Sequence, residues 1–316
     1  MKKITQKKKI AILLGGLMIS SVLFGGCSVS SNTIKKGISI SSTPQNVWMW
    51  DATNVSNINV IKKLKSLNTD TVYVNTGWAP ESNEFYLKKH SLMYASFIES
   101  ANDNKIKVDA LLGNPDWALS SNYVDFENQI NDILSFNEKF SYGFNAIHLD
   151  IEPYLIKDWD TNKSKYLTSY IENLKKIRTL IDNHNIKTDD TLALVVDVPF
   201  WFSQKEFSIN NENILDLLFS VVDGVTIMNY TKNQTDFVSR AVDILKIADK
   251  YDNKSVTVGM EFQPSYTDIT LYDVNPDKLV DYVKNSLAEL KKYDSFKGLS
   301  IHEYNSYLDY VTTNIK

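Results

Sequence analysis

Cysteine is almost missing from this 316-residue chain: Cys27 is the only one, so no disulfide can form within it. Positive charge is also scarce, with a formal net charge of −4. Phosphate backbones demand a basic footprint, so nucleic acid is not expected as a partner. The eleven glycines form no G-x-G-x-x-G turn and no P-loop, which argues against dinucleotide and nucleotide folds. The four histidines and the lone cysteine make no zinc-finger spacing and no His-Glu-x-x-His pair. No internal repeat and no compositional break mark a second large domain.

The N-terminus reads as a leader. Lys2, Lys3, Lys7, Lys8 and Lys9 form a basic segment, and 10–24 is apolar with small residues. Such a segment is a secretory signal, too short and too glycine-rich for a settled transmembrane helix. Losing it takes the net charge from −4 to −9. Gly25-Gly26-Cys27 resembles the lipobox of bacterial lipoproteins, with Phe24 where leucine is usual. That resemblance implies cleavage before Cys27, lipid on its thiol and amine, and residence at the extracellular face of the cell membrane. Each buried CH₂ of the anchor would contribute roughly 0.8 kcal/mol. Residues 1–26 are therefore assigned to the signal and 27–44, rich in Ser, Asn and Thr, to a flexible tether. Residues 45–316 suit one domain.

Within 45–316, short apolar runs alternate with segments of helical period. Strands are expected at 46–51, 71–75, 107–112, 146–152, 192–198, 224–229, 255–261 and 298–303. Helical stripes are expected around 60–67, 126–140, 166–181, 214–221, 241–251 and 279–293. Eight strands alternating with helices predict a single-domain α/β fold, the (β/α)8 TIM barrel. A monomer is expected.

In such barrels the chemistry sits at the C-terminal ends of the strands. The most telling end is Gly143-Phe-Asn-Ala-Ile-His-Leu-Asp-Ile-Glu-Pro-Tyr154. A period of two puts His148, Asp150 and Glu152 on one face and Ile147, Leu149 and Ile151 on the other. Three ionisable groups on a covered strand are costly unless paired, hydrated or used. Two neighbouring carboxyls can push one pKa up and keep a proton available as a general acid. Other strand ends carry Trp50, Trp78, Trp117, Trp201, Asn229, Tyr230, Glu261, His302 and Glu303. All six tryptophans fall at or just beyond expected strand ends. A flat apolar face with a donor on its edge suits a sugar ring. His90 and His184 are read as solvated loop residues without a role.

Asn145-Ala-Ile-His-Leu-Asp-Ile-Glu152 resembles the fourth-strand D-G-x-D-x-D-x-E motif of family 18 glycoside hydrolases, the chitinases and endo-β-N-acetylglucosaminidases. Met228-Asn-Tyr230 resembles that family's sixth-strand Met-x-Tyr. The resemblance implies Glu152 as the acid that protonates the glycosidic oxygen. Asp150 would orient and stabilise the substrate's 2-acetamido group, and Tyr230 would hydrogen-bond it. It implies a carbohydrate polymer or glycan as partner and no cofactor. Departures are Asn145, Ala146 and His148 for Asp, Gly and Asp, and Thr231 where many members have Asp.

Three alternatives stand beside this reading. One is a catalytically silent sugar-binding lipoprotein on the same barrel. Another is a retaining glycosidase using Glu152 with Glu261. The third is a metal-dependent hydrolase built from His148, Asp150, Glu261, His302 or Glu303.

Overall fold

The computed structural model describes residues 45–77 and 85–314. Cys27 and Trp78 lie outside them. Eight parallel strands close into a barrel: β1 Gln45–Met49, β2 Thr71–Asn75, β3 Lys107–Leu112, β4 Ala146–Leu149, β5 Ala193–Pro199, β6 Gly224–Met228, β7 Ser255–Glu261 and β8 Phe296–His302. Each pairs with its sequence neighbours, and β8 pairs back onto β1. Three strands have the bounds expected from the sequence. Strand β4 is shorter than expected, because regular pairing stops at Leu149 and leaves Asp150 and Glu152 on the exit turn.

A helix follows every strand: α1 Val60–Ser66, α2 Ser91–Asp103, α3 Tyr123–Lys139, α4 Trp159–Thr188, α5 Ile214–Phe219, α6 Gln234–Ala248, α7 Pro276–Leu290 and α8 Tyr304–Asn314. Helices α2 and α8 had no counterpart in the expected stripes. The others start earlier or end earlier than apolar period alone suggests, because caps set the ends. Asn233 accepts from the Thr235 and Asp236 N–H groups and so starts α6 well before its apolar stripe. Asn275 does the same for α7, with Pro276 at its first turn. Such a cap contributes about 1 kcal/mol. Leu279, Val283, Leu287 and Leu290 of α7 then form one buried stripe on the barrel wall.

The outer wall of the strands is conventional: Val72, Val74, Ile147, Leu149, Val196, Ile227 and Val258 are fully buried against helices. The interior is not. Barrel interiors are usually filled by branched aliphatics. Here the inward positions carry Trp48, Tyr73, Asp109, His148, Asp197, Thr226 and Ser300, all buried, and the partly buried Thr257. Their hydroxyls are linked across strands: Tyr73 to Ser300 at 3.1 Å, Ser300 to Thr257 at 3.0 Å and Thr257 to Thr226 at 2.9 Å. A cavity of about 600 Å³ opens at the N-terminal end, where small residues such as Ala146, Ala193 and Ser255 line it. A polar interior of this kind is held by hydrogen bonds and must be fully paired to be tolerated.

Candidate active site

The site grows from the exit of β4. The Asp150 N–H still donates to the Leu112 carbonyl of β3 at 2.9 Å, so the chain follows the sheet one residue past the strand. Gly113 permits this, since a Cβ there would stand 2.1 Å from the Asp150 carbonyl oxygen. Ile151, on the opposite face, is buried, while Asp150 and Glu152 are half-buried at the barrel mouth. Asp150 Oδ1 is enclosed and has no hydrogen-bond partner. Glu152 Oε2 accepts a hydrogen bond from the Tyr154 hydroxyl.

Beneath them His148 is fully buried, with Nε2 2.7 Å from Asp197 Oδ1 on β5. Asp197 Oδ2 accepts from Trp48 Nε1 at 3.0 Å. Facing a carboxylate, His148 Nε2 carries the proton, an assignment made from the network. Across the mouth, Trp50 Nε1 donates to His302 Nε2 at 3.2 Å, and His302 Nδ1 lies 2.9 Å from Glu261 Oε2. Indole is only a donor, so His302 is the neutral tautomer with its proton on Nδ1, directed at Glu261. Glu261 Oε1 also accepts from the Gln263 N–H at 2.6 Å. Both of its oxygens are thus occupied, and the residue is 1 % exposed.

Burial pushes the Glu152 carboxyl above the usual glutamate range. The Tyr154 hydrogen bond pulls it down, and the Asp197 charge adds to the rise. Asp150 and Glu152 repel each other as the sequence suggested, and Asp197 adds a third carboxyl to the group. Asp150 is raised well above the aspartate range, first by burial, then by Asp197, then by Glu152. Burial likewise raises Tyr230, whose hydroxyl feels Asp197, Glu261, Asp150 and Glu152 in that order. Its ring is 5.5 Å from that of His302. Gly259 leaves room for it, since a Cβ there would meet Tyr230 Cε1 at 3.2 Å. The arrangement can hold a proton on a carboxyl beside a water-accessible mouth, which is what general acid chemistry requires.

No known family model matches the sequence, and no curated protein matches it. Solved structures do match. A plant class V chitinase from Cycas revoluta in complex with (GlcNAc)3 gives a TM-score of 0.56 at 10 % identity, covering 85 % of this chain and 97 % of that one. A family GH18 chitinase from Cycas revoluta in complex with allosamidin gives 0.55 at 11 %, with the same coverage. A class V chitinase from Pseudomonas fluorescens Pf-5 gives 0.52 at 9 %, covering 87 % and 100 %.

The chain is a family-18-like barrel in fold. Within this barrel, Asp150, Glu152, Tyr230, His302 and Glu261 come together at the C-terminal end of the strands. Trp50 and Trp201 are half-buried there, and Trp201 packs edge-on against Tyr154 with ring centroids 5.3 Å apart.

Three residues expected to touch substrate are used otherwise. Trp117 is 2 % exposed, stacks on Phe126 of α3 at 4.9 Å and donates to Asp125. Its ring fills the space between the β3 exit turn and a helix. Asn229 is fully buried, and its amide donates to the Phe237 carbonyl of α6 at 2.7 Å. Glu303 accepts from the Asn305 and Ser306 N–H groups and so caps α8. His148 is fully buried beneath the mouth, bonded to Asp197 and packed on Tyr73 with ring centroids 4.0 Å apart. His184 is not a solvated loop residue: it lies inside α4, 5 % exposed, between Glu138 and Asp190 at 3.6 Å each.

Asp197 and Tyr154 contact the acid site, yet the sequence reading gave them no role. A lone acid inside Leu194-Val-Val-Asp-Val198 was the available signal for Asp197. Among the described residues, no cluster of three His, Cys, Asp or Glu residues could hold a metal ion.

Proposed function

We propose that the barrel is a glycoside hydrolase acting on an amino-sugar polymer or glycan, with Glu152 as the acid. The observation that carries this is the Glu152 carboxyl itself. It sits at the C-terminal end of β4, held above its ordinary protonation range by burial, bonded by Tyr154 and open to the mouth. A proton on Glu152 passes to the glycosidic oxygen as the bond to the anomeric carbon breaks. The substrate's acetamido oxygen closes onto that carbon. Water then opens the ring and returns its proton to Glu152. Asp150 and Tyr230 face the acetamido group in this scheme, and Trp50 and Trp201 offer ring faces to the sugars. The chitinases of the same fold whose complexes hold (GlcNAc)3 support an N-acetylated substrate class. The occupied oxygens of Glu261 argue against its serving as a nucleophile.

The protein is further proposed to be a monomer, anchored at the outer face of the membrane through lipidated Cys27. Replacing Cys27 with Ser should release it into the medium. The substrate class is tested by incubating the full chain with chitooligosaccharides, peptidoglycan fragments and high-mannose glycans, with products read by mass spectrometry. Cleavage confined to bonds beside a 2-acetamido sugar is expected. Cleavage only of sugars lacking that group would overturn the substrate-assisted route.

A further inference from the structure

The barrel has a second opening, at the N-terminal end of its strands and away from the acid. The cavity of about 600 Å³ lies there. Short side chains create it. Ala146 of β4 pairs with Ala193 of β5, and Ser255 of β7 completes that wall. Barrel interiors usually carry branched aliphatics at such positions. The other wall is polar. Lys107 and Asp109 share one face of β3, and Tyr73 of β2 stands in register with Asp109. Asp109 is 7 % exposed, and among the described residues no hydrogen bond reaches its carboxyl. His148 Nδ1 lies 4.0 Å from Asp109 Oδ2, beyond hydrogen-bond reach, and is itself unbonded. With the His148 proton on Nε2, both groups are acceptors that no donor of the chain serves. A buried acceptor left without a donor is costly, and a ligand that brings hydroxyls removes that cost. At the rim, Lys105 and Lys107 pair with no carboxylate among the described residues, and Lys297 Nζ donates to the Asp294 carbonyl at 2.8 Å. Asp70, also on the rim, accepts from the Gln45 N–H at 2.8 Å.

We propose that this cavity binds an anionic monosaccharide, a sugar ring bearing one carboxylate or phosphate, with a hydroxyl on Asp109 and the acid group on the rim lysines. The volume suits a small organic molecule and is far larger than a bare ion needs. The Thr226 and Thr257 hydroxyls and the Asn46 amide offer further partners for ring hydroxyls, while Ala146, Ala193 and Val195 offer an apolar wall to its C–H face. Lys107 and Asp109 are two residues apart on one strand, so their Cα atoms are about 6.6 Å apart. That span fits one sugar ring with its acid at the rim and a hydroxyl inside. Three lysines against Asp70 and Asp109 leave the lining with an excess of positive charge, in a chain that is negative as a whole. The site uses no residue of the mouth and goes beyond the hydrolase reading.

Isothermal titration calorimetry of the full chain in detergent tests this, with glucuronate, glucose 6-phosphate, glucose and inorganic phosphate as probes. At least one acid sugar should bind at millimolar concentration or below, and the tighter of the two names the acid group. Glucose should bind about fivefold more weakly, because it leaves the lysines unused. Ala193→Leu fills the cavity and should abolish the binding. Lys107→Ala should weaken the acid sugar about fivefold and leave glucose unchanged. Trp201→Ala, at the mouth, should change neither. The proposal is overturned if no probe binds, or if inorganic phosphate binds as tightly as the acid sugars, which marks an anion site without a sugar pocket. It is also overturned if Trp201→Ala loses the binding while Ala193→Leu keeps it. If Ala193→Leu does not fold, the exposed replacement Lys107→Ala decides, and an unchanged affinity for the acid sugar overturns the proposal. Sugar cleavage is read separately. Cleavage without binding at the cavity defeats this proposal alone, and cavity binding without cleavage defeats the hydrolase reading alone.

Discussion

Removing the Tyr154 hydroxyl should shift the working pH of the acid upward. Glu152 Oε2 accepts this hydroxyl, and the bond favours the charged carboxylate. A hydrogen bond to a charged group is worth roughly 1.5–3 kcal/mol, and one pKa unit corresponds to about 1.4 kcal/mol. Glu152 is only half-buried, so water replaces part of what is lost. We therefore expect Tyr154→Phe to raise the pKa of Glu152 by about one unit. The sign follows from the role. The acid works only when protonated, so a higher pKa extends activity toward higher pH. The basic limb of kcat/KM against pH for a cleavable oligosaccharide should move up by about one unit, with the maximum changed little. A downward shift, or an unmoved limb with intact folding, would show that the group titrating on that limb is not Glu152. The phenyl ring keeps its packing against Trp201 and Phe202, so thermal unfolding should change little.

Burial raises Asp109 to about 6, against partial relief from His148 and then Lys107. Its folded pKa exceeds the unfolded one, so the stability tied to its protonated form is full below about pH 4 and lost as pH rises through about 6. Asp109→Asn should thus stabilise the barrel at pH 8 by up to about 3 kcal/mol and by little at pH 4; urea unfolding with equal effects at both pH values would contradict this. Trp117→Ala should cost roughly 3–5 kcal/mol of stability, as a buried aromatic does, while leaving KM of the folded fraction near its wild-type value. Trp201→Ala should do the reverse, raising KM about fivefold with a small change in unfolding, in keeping with an aromatic contact of about 1 kcal/mol. A KM effect from Trp117 and none from Trp201 would mean that the sugar track runs elsewhere.

The barrel was legible because each strand is an apolar run flanked by polar turns, and both signals are local. Thr71–Asn75, Lys107–Leu112 and Ser255–Glu261 needed nothing more. Helix ends were less legible, since Asn233 and Asn275 act through one side-chain bond that apolar period does not register. In the site, period two was enough to put Asp150 and Glu152 at the mouth. Asp197 was hidden because its partners, His148 of β4 and Trp48 of β1, come from other strands and leave no local pattern. Trp117 and Asn229 misled for a related reason. Sequence places a residue at a strand end, but whether its ring or amide turns to the mouth or to a helix depends on which partner waits there. For these two the partners are Phe126 with Asp125, and the Phe237 carbonyl.

The central claim is that Glu152 donates the proton that breaks the glycosidic bond. The most direct test compares turnover and binding of one cleavable amino-sugar oligosaccharide by wild type and Glu152→Gln. The account predicts normal folding, sugar binding within a few-fold of wild type, and a loss of turnover of about 10²–10⁴-fold, the usual contribution of general acid catalysis. Turnover that survives in Glu152→Gln at the wild-type rate would contradict it.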